Sequence, residues 1–203
     1  MGFYIIKDWE MKFSPYSLLA IDFEFITTRI VQNKAKKYFQ EIVEIGAVLS
    51  KDEDETLEFQ RIIKPRQYIN SKDKNVHRIY AERFTKEQIE NGVDLEKAFL
   101  ELKKIYIPKE TIWISWGKSE YDILRTVCKS YEIAIPFLKE DYLDLSIEFK
   151  KFYNINQNLS LDKALNILGI PSLDRHEALP DARVLMQTVK TMLMDGYEIE
   201  KIY

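Results

Sequence analysis

The sequence predicts an α/β fold in which a five-stranded mixed sheet carries helices on its faces. Three apolar segments come first, at 18–22, 41–49 and 57–64, and each has the length and composition of a strand. Strand and helix patterns then alternate along the rest of the chain. Consecutive strands followed by strand–helix alternation are typical of a mixed sheet packed between helices.

Each later element has its own local signal. Apolar residues recur at helical spacing over 94–106, where Asp94 is a candidate N-cap. β-branched and aromatic residues predict a fourth strand at 111–116, and a short fifth strand follows at 142–145. Gly169 marks the C-terminal end of one helix. The remaining helices are predicted at 122–131, 146–153, 160–168 and 180–194.

Length and composition predict one folded domain. A chain of 203 residues fits a single domain, with 1–16 as an N-terminal arm and 17–195 as the core, because the periodic pattern begins at Leu18. The hydrophobic fraction of 46% is enough for a sizeable core. The single cysteine, Cys128, excludes a disulfide framework and fits the reducing cytoplasm. Its place in a predicted helix favours a buried structural thiol.

Composition also excludes several functional classes. No apolar run approaches the roughly 20 residues needed to cross a bilayer, so no membrane partner is expected. A net charge of −3 is not typical of proteins that grip long duplex nucleic acid by its phosphates. It is compatible with an enzyme that acts at a chain end, where few phosphates are contacted. We therefore expect a cytoplasmic protein.

Two carboxylates mark the end of the first predicted strand. Asp22 and Glu24 are two residues apart, so strand alternation puts both side chains on one face. Such a pair resists burial unless a cation offsets the repulsion, and hard oxygen ligands suit Mg²⁺ or Mn²⁺. A strand that simply ends there, with Glu24 in water, explains the pair equally well.

Two further carboxylates stand at predicted helix starts. Asp122 follows Tyr121 after the fourth strand, and Asp181 follows Pro180 before the last helix. A carboxylate in the first turn of a helix interacts favourably with the helix dipole, so each position also has an explanation without a metal.

Histidine adds a group that titrates near neutral pH. The chain has two, and His176 lies five residues before Asp181, where it is a candidate general base. A surface histidine is the alternative. The other, His77, stands in a polar stretch and is interpreted as structural or as part of the rim of a site.

Taken in order, these segments resemble the three motifs of the DEDDh exonucleases, the DnaQ-like 3′–5′ exonuclease superfamily. The matching segments are Asp22-Phe23-Glu24, Tyr121-Asp122, and His176 through Asp181. Trp116-Gly117, Asp144-Leu145-Ser146 and His176-Glu177-Ala178-Leu179 are similar to the KapD and Eri-type branch. The resemblance covers about residues 17–195, although the gap from Trp116-Gly117 to Asp122 is longer than in some relatives.

The resemblance implies an RNase H-like fold whose second strand is antiparallel, and release of 5′-mononucleotides from the 3′ end of single-stranded RNA or DNA. It implies two divalent ions, Mg²⁺ or Mn²⁺. Asp22, Glu24 and Asp181 would hold the first ion, Asp22 would bridge to the second, and Asp122 would assist the second through water. His176 would deprotonate the attacking water.

Contacts with the substrate are also expected from this resemblance. The residues predicted to make them are Phe23, Phe25, Trp116, Tyr121 and His176. Phe25 either stacks on a base or is a core aromatic, and Trp113 is expected in the core. Basic side chains between the first two strands either meet phosphates or form a solvated loop. They are Arg29, Lys34, Lys36 and Lys37.

Two alternatives stay open at this point. The chain could be a nuclease module that works only within a larger assembly, with protein partners that the sequence does not identify. It could also be a non-catalytic nucleic-acid or protein interaction module with the same fold. The complete set of four carboxylates and a histidine argues against the second alternative.

Overall fold

A computed structural model describes residues 16–32, 35–51, 56–67, 84–171 and 177–200, with backbone alone for 28–32 and 35–37. These residues form one sheet with strand order β3-β2-β1-β4-β5. The strands are β1 (Ser17–Gln32), β2 (Ala35–Ser50), β3 (Thr56–Ile62), β4 (Thr111–Ser115) and β5 (Tyr142–Asp144). β2 is antiparallel to β1 and β3, whereas β4 is parallel to β1 and β5. The predicted mixed sheet with an antiparallel second strand is therefore confirmed.

Six helices are described around this sheet. They are α1 (Lys86–Glu90), α2 (Leu95–Leu102), α3 (Ser119–Tyr131), α4 (Leu145–Phe152), α5 (Leu161–Leu168) and α6 (Ala178–Met194). Asp94 occupies the N-cap position of α2 as predicted, but its side chain makes no capping hydrogen bond. Gly169 ends α5 in the left-handed conformation, which confirms the predicted helix end.

Strand alternation divides the core into two layers. Leu19 and Ile21 of β1 and Trp113 of β4 pack on one face of the sheet against α2 and α3. Leu18 and Ala20 of β1 pack on the other face against α4 and α6. Trp113 is fully buried, which confirms its expected place in the core. The layers position α3 and α6, the two helices that carry predicted site residues, on opposite faces of the sheet.

The connection between the first two strands differs from the prediction. The expected connection between the strands predicted at 18–22 and 41–49 is instead mostly a continuation of β1 and β2, which stay paired from Phe25–Ile42 out to Gln32–Ala35. The reason lies in the run Ile26 to Val31, where β-branched residues favour extended backbone. The backbone at Arg29, Lys36 and Lys37 thus belongs to a long hairpin.

A bulge interrupts this hairpin directly after Glu24. Pairing runs Glu24–Glu44 and then Phe25–Ile42, so Val43 is an extra residue on β2. The Val43 carbonyl accepts a hydrogen bond of 2.8 Å from the Ile63 amide, next to the end of the β2–β3 pairing. Bulges bend the strand and change the direction of neighbouring side chains, and they are frequent beside active sites.

The remaining predictions concern Cys128, a membrane span, and residues that the structure does not describe. Cys128 is 1% exposed, and burial raises the pKa of its thiol to about 12, which confirms a structural thiol. Within the described part of the chain, no helix is both long and apolar enough to span a bilayer. Of the arm predicted at 1–16, residues 1–15 lie outside the described residues, and so do Lys34, His77 and His176.

Candidate active site

Three of the predicted carboxylates meet on the central strand β1, just beyond the point where its pairing with β4 ends. Asp22, Glu24 and Asp181 each offer one carboxylate oxygen, and these oxygens lie within 4.8 Å of one another. Glu24 is 5% exposed and Asp181 7%, whereas Asp22 is half-buried. Acidic groups so close together repel when charged, and a bound divalent cation is the usual way to offset that repulsion.

Alternation along β1 explains the first two of these positions. Asp22 and Glu24 continue the row that begins with Leu18 and Ala20, so they face the layer containing α6. Asp181 comes from the first turn of α6, on the buried stripe that also carries Ala178 and Leu185. One strand and one helix therefore supply the whole cluster.

Gly46 allows α6 to come close enough for this arrangement. It pairs with Asp22 across β1 and β2. An added Cβ at Gly46 would lie well inside 3.0 Å of backbone atoms of Ala178 and Leu179, a separation that real Cβ atoms essentially never show. The first turn of α6 thus packs directly on the backbone of β2, three residues before Asp181. Any side chain at position 46 would push that turn away.

Glu44 holds the same helix start by a hydrogen bond. It is 3% exposed and pairs with Glu24 across the two strands. Its Oε2 accepts from the Ala178 amide at 3.2 Å, and its Oε1 accepts from Gln60 Nε2 at 2.7 Å. The Ala178 amide is one of the N-terminal helix amides without a partner inside the helix. Glu44 therefore orients α6 toward the acidic pair.

An ion pair anchors the next turn of α6. Arg183 donates from Nε to Glu58 Oε1 at 2.7 Å and from its terminal nitrogen to Oε2 at 2.8 Å. This hydrogen bond lowers the pKa of Glu58 from its ordinary value, and it raises that of Arg183. Both side chains are exposed, so the pair adds orientation more than stability.

Asp122 is not part of the carboxylate cluster found among the described residues. Its side chain is 43% exposed and lies 3.6 Å from Lys118 Nζ and 3.8 Å from Arg125. The helix begins at Ser119 rather than at Asp122, one turn earlier than predicted. Asp122 therefore stands at the fourth helical position, outside the buried stripe of α3, and its Oδ1 is shielded from solvent. Its role in the site stays a prediction.

Glu120, which sequence reasoning passed over, is the buried acid of this helix. It is 9% exposed, and its Oε2 is shielded from solvent without a hydrogen-bond partner among the described residues. Burial raises the pKa of Glu120 to about 7, and the charge of Asp144 adds to the rise. The nearby Ser115 hydroxyl opposes it by favouring the charged form. The sequence did contain a signal for this burial. Glu120 precedes the apolar residues Ile123 and Leu124 by three and four positions, which places all three on one face of a helix.

A network of polar contacts fixes the turn that leads into α3. Ser115 Oγ and Tyr142 Oη each donate to the Gly117 carbonyl, at 2.8 and 2.7 Å. The Gly117 amide donates in turn to Asp144 Oδ1 at 3.1 Å. Asp144 also caps α4 by accepting from the Ser146 amide at 3.1 Å. The ends of β4 and β5 thereby set where α3 begins.

The aromatic residues predicted to contact substrate have core contacts. Phe23 is 3% exposed and faces away from Asp22, because odd positions of β1 lie on the opposite face, so its side chain has no surface for a nucleotide. Phe25 is half-buried and packs against the same layer. Trp116 donates from Nε1 to the Leu159 carbonyl at 3.1 Å. Tyr121 stacks on neighbouring rings.

The other predicted site residues are not located. His176 immediately precedes the described segment that starts at Glu177, but it is itself outside that segment. Of the basic residues, Lys34 lies outside the described residues, and the side chains of Arg29, Lys36 and Lys37 are not described. Their predicted contacts with substrate stay predictions.

Comparison with known proteins shows the family of this chain. The family model RNase_T, described as an exonuclease, matches residues 19–189. A curated relative, the probable 3′–5′ exonuclease KapD of Bacillus subtilis (strain 168), is 29% identical over 188 residues. That alignment covers 91% of this chain and 88% of the relative.

Solved structures share the fold at low sequence identity. A full-length 3′-exonuclease matches with a TM-score of 0.74 at 18% identity, over 94% of this chain and 65% of that one. The chain thus spans just under two thirds of that protein. The nuclease domain of 3′hExo, a DEDDh family member bound to rAMP, matches with a TM-score of 0.70 at 18% identity. Here the match covers 92% of this chain and 96% of the other.

The matched segment runs from β1 into α6 and includes all four predicted carboxylates. The sequence resemblance to the DEDDh 3′–5′ exonucleases and the expected RNase H-like fold are therefore confirmed, and so is the prediction of an enzyme. The chain belongs to the RNase_T family of exonucleases.

Proposed function

We propose that the protein is a metal-dependent 3′–5′ exonuclease that releases 5′-mononucleotides from single-stranded RNA or DNA ends. The observation that carries this proposal is the convergence of Asp22, Glu24 and Asp181. Membership of an exonuclease family supports the reaction class, and the relative named KapD supports the 3′–5′ direction. The rAMP bound to the 3′hExo domain supports a mononucleotide product.

The donor set fits hard divalent cations. Its three ligands are carboxylates, which suit Mg²⁺ or Mn²⁺ rather than softer metals. Asp22, Glu24 and Asp181 would hold a first ion, and Asp22 would also reach a second. Bound ions of this kind lower the pKa of water and offset charge that develops on the phosphate and the leaving oxygen.

Other residues of the chain hold the metal ligands in place and would accept a proton during the reaction. Glu44 and Gly46 hold the first turn of α6 against β2, which keeps Asp181 opposite the acidic pair. His176, in the segment just before that turn, would take the proton from the attacking water. We also propose a cytoplasmic location, in keeping with the prediction from the single cysteine, Cys128.

A labelled-oligonucleotide assay tests this proposal. Single-stranded RNA and DNA carrying a 5′ label are incubated with Mg²⁺, with Mn²⁺ or with EDTA. We expect metal-dependent shortening one nucleotide at a time from the 3′ end. An oligonucleotide with a 3′-phosphate should resist, and Asp22→Ala and Asp181→Ala should be inactive because each removes a ligand.

The outcome also separates the two alternatives. Failure of the wild type to shorten any oligonucleotide in either metal would contradict the proposal. If calorimetry then showed no Mn²⁺ binding that depends on Asp22, the fold would serve as a non-catalytic interaction module. Robust activity of the purified chain would argue against a requirement for a larger assembly.

A further inference from the structure

Helix α3 presents its two N-terminal acids to different surroundings. Its buried positions are 120, 123, 124, 127 and 128, which is the spacing of a single core-facing stripe. Glu120 begins this stripe and Asp122 is not on it. A carboxylate on the stripe is directed toward the sheet, whereas Asp122 lies beside the stripe with 43% of its side chain exposed.

The two acids also differ in how their charge is offset. Asp122 has Lys118 and Arg125 within 4 Å, although its Oδ1, like Glu120 Oε2, is shielded from solvent and has no hydrogen-bond partner among the described residues. Among those residues, no basic group lies within salt-bridge distance of Glu120, and its shielded Oε2 is unpartnered. A buried carboxylate in this state costs free energy unless a cation occupies the space beside it.

Glu120 lies close to the point where the pairing of β1 with β4 ends, and Asp22 lies just beyond the same point. β1 and β4 are adjacent parallel strands, paired up to Ala20–Ile114. Asp22 lies two residues beyond that pair, and Ser115, which interacts with Glu120, lies one residue beyond it. The buried carboxylate of α3 is thus directed to the carboxyl end of the strand pair that carries the acidic cluster.

We propose that Glu120, rather than Asp122, is the carboxylate of α3 that holds the second divalent cation next to Asp22. This inference rests on the proposed function. The metal-binding carboxylate of the second motif is thereby moved by two residues. The Tyr121-Asp122 match indicated Asp122, whereas the buried stripe of α3 indicates Glu120.

Isothermal titration with Mn²⁺ alone tests the assignment without any substrate. We expect two ions per wild-type chain, and for Glu120→Gln either a single ion or a second step at least tenfold weaker. Asp122→Asn should weaken the second step less than Glu120→Gln does. Glu132→Gln, at the exposed opposite end of the same helix, is the matched control and should bind as the wild type does.

Activity and folding complete the test. In the oligonucleotide assay, Glu120→Gln should lose at least tenfold more activity than Asp122→Asn. Its melting temperature in EDTA should equal or exceed that of the wild type, because a buried charge is removed. A larger loss of Mn²⁺ binding in Asp122→Asn, or unchanged binding in Glu120→Gln, would overturn the assignment. If the wild type had no nuclease activity but bound a second Mn²⁺ ion that depended on Glu120, the nuclease proposal would be contradicted and the assignment of Glu120 would be supported.

Discussion

Gly46→Ala is the most direct test of how the site is assembled. A Cβ at this position falls short of a 3.0 Å separation from the Ala178 and Leu179 backbone by roughly 1 Å. The obstacle is backbone in the first turn of α6, so no side-chain rotation relieves it. The helix start must retreat by roughly that distance, and Asp181, three residues later in the same rigid helix, must retreat with it.

The expected effects follow from that displacement. Overpacking of this kind costs about 1–3 kcal/mol of folding stability. Misplacement of a catalytic ligand by about 1 Å costs on the order of 10²-fold in rate. We therefore expect weaker Mn²⁺ binding and a loss of exonuclease activity of about that size, measured on folded protein well below its melting temperature.

Gly196→Ala is the matched control. Gly196 has a φ of +96° and nothing within 4 Å of an added Cβ, so alanine there is strained without a clash. It lies beyond the far end of α6, about 22 Å along the helix axis from Asp181. We expect similar destabilisation and unchanged metal binding. If Gly46→Ala bound Mn²⁺ and cut substrate as Gly196→Ala does, the close approach of α6 would have no part in the chemistry.

Three other predictions use separate parts of the molecule. The Cys128 thiol should react with Ellman's reagent only after urea unfolding, because it is buried and its pKa is raised to about 12; rapid labelling of native protein would contradict this. Glu58→Gln should lower the free energy of unfolding by about 0.2–1 kcal/mol at pH 7, as for other exposed ion pairs. Since the hydrogen bond with Arg183 lowers the pKa of Glu58, that contribution is present above the ordinary value of 4.5 and is lost as pH falls through the lowered value. Urea titrations of both proteins should therefore converge in acid, and a difference that persists there would refute the assignment. His176→Ala should bind Mn²⁺ normally yet lose about 10²–10⁴-fold in turnover, since the base is removed and the ligands stay; an unchanged rate would mean that water is activated differently.

Much of the fold was predictable from local pattern. Short apolar runs located all five strands, and turn residues such as Gly169 located helix ends. Asp22 and Glu24 were predictable as a same-face pair because strand period is two. The third member, Asp181, was predicted from the family resemblance. Local sequence periodicity could not predict it, because it relates only residues that are close in sequence and Asp181 is far from Asp22.

The remaining differences arise where tertiary contacts decide. The motif match favours Asp122, whereas burial on α3 depends on which residues meet the sheet, and helical phase places Glu120 on the buried stripe. The long β1–β2 hairpin was missed because basic residues interrupt its β-branched run. Phe23 is predicted to contact substrate from its place inside the first motif, whereas strand alternation places its side chain in the core.

Among the described residues, the carboxylate cluster includes none from strand β2, yet this strand positions the cluster. Gly46 and Glu44 face Asp22 and Glu24 directly in register, and the bulge at Val43 follows at once. Gly46 admits the helix start and Glu44 accepts its first amide, so the positive end of the α6 dipole is brought over the acidic pair. That placement offsets part of the repulsion among the three carboxylates before any cation binds. Substitutions of Glu44 or Gly46 should therefore weaken metal binding as much as substitutions of residues that hydrogen-bond directly to metal ligands commonly do.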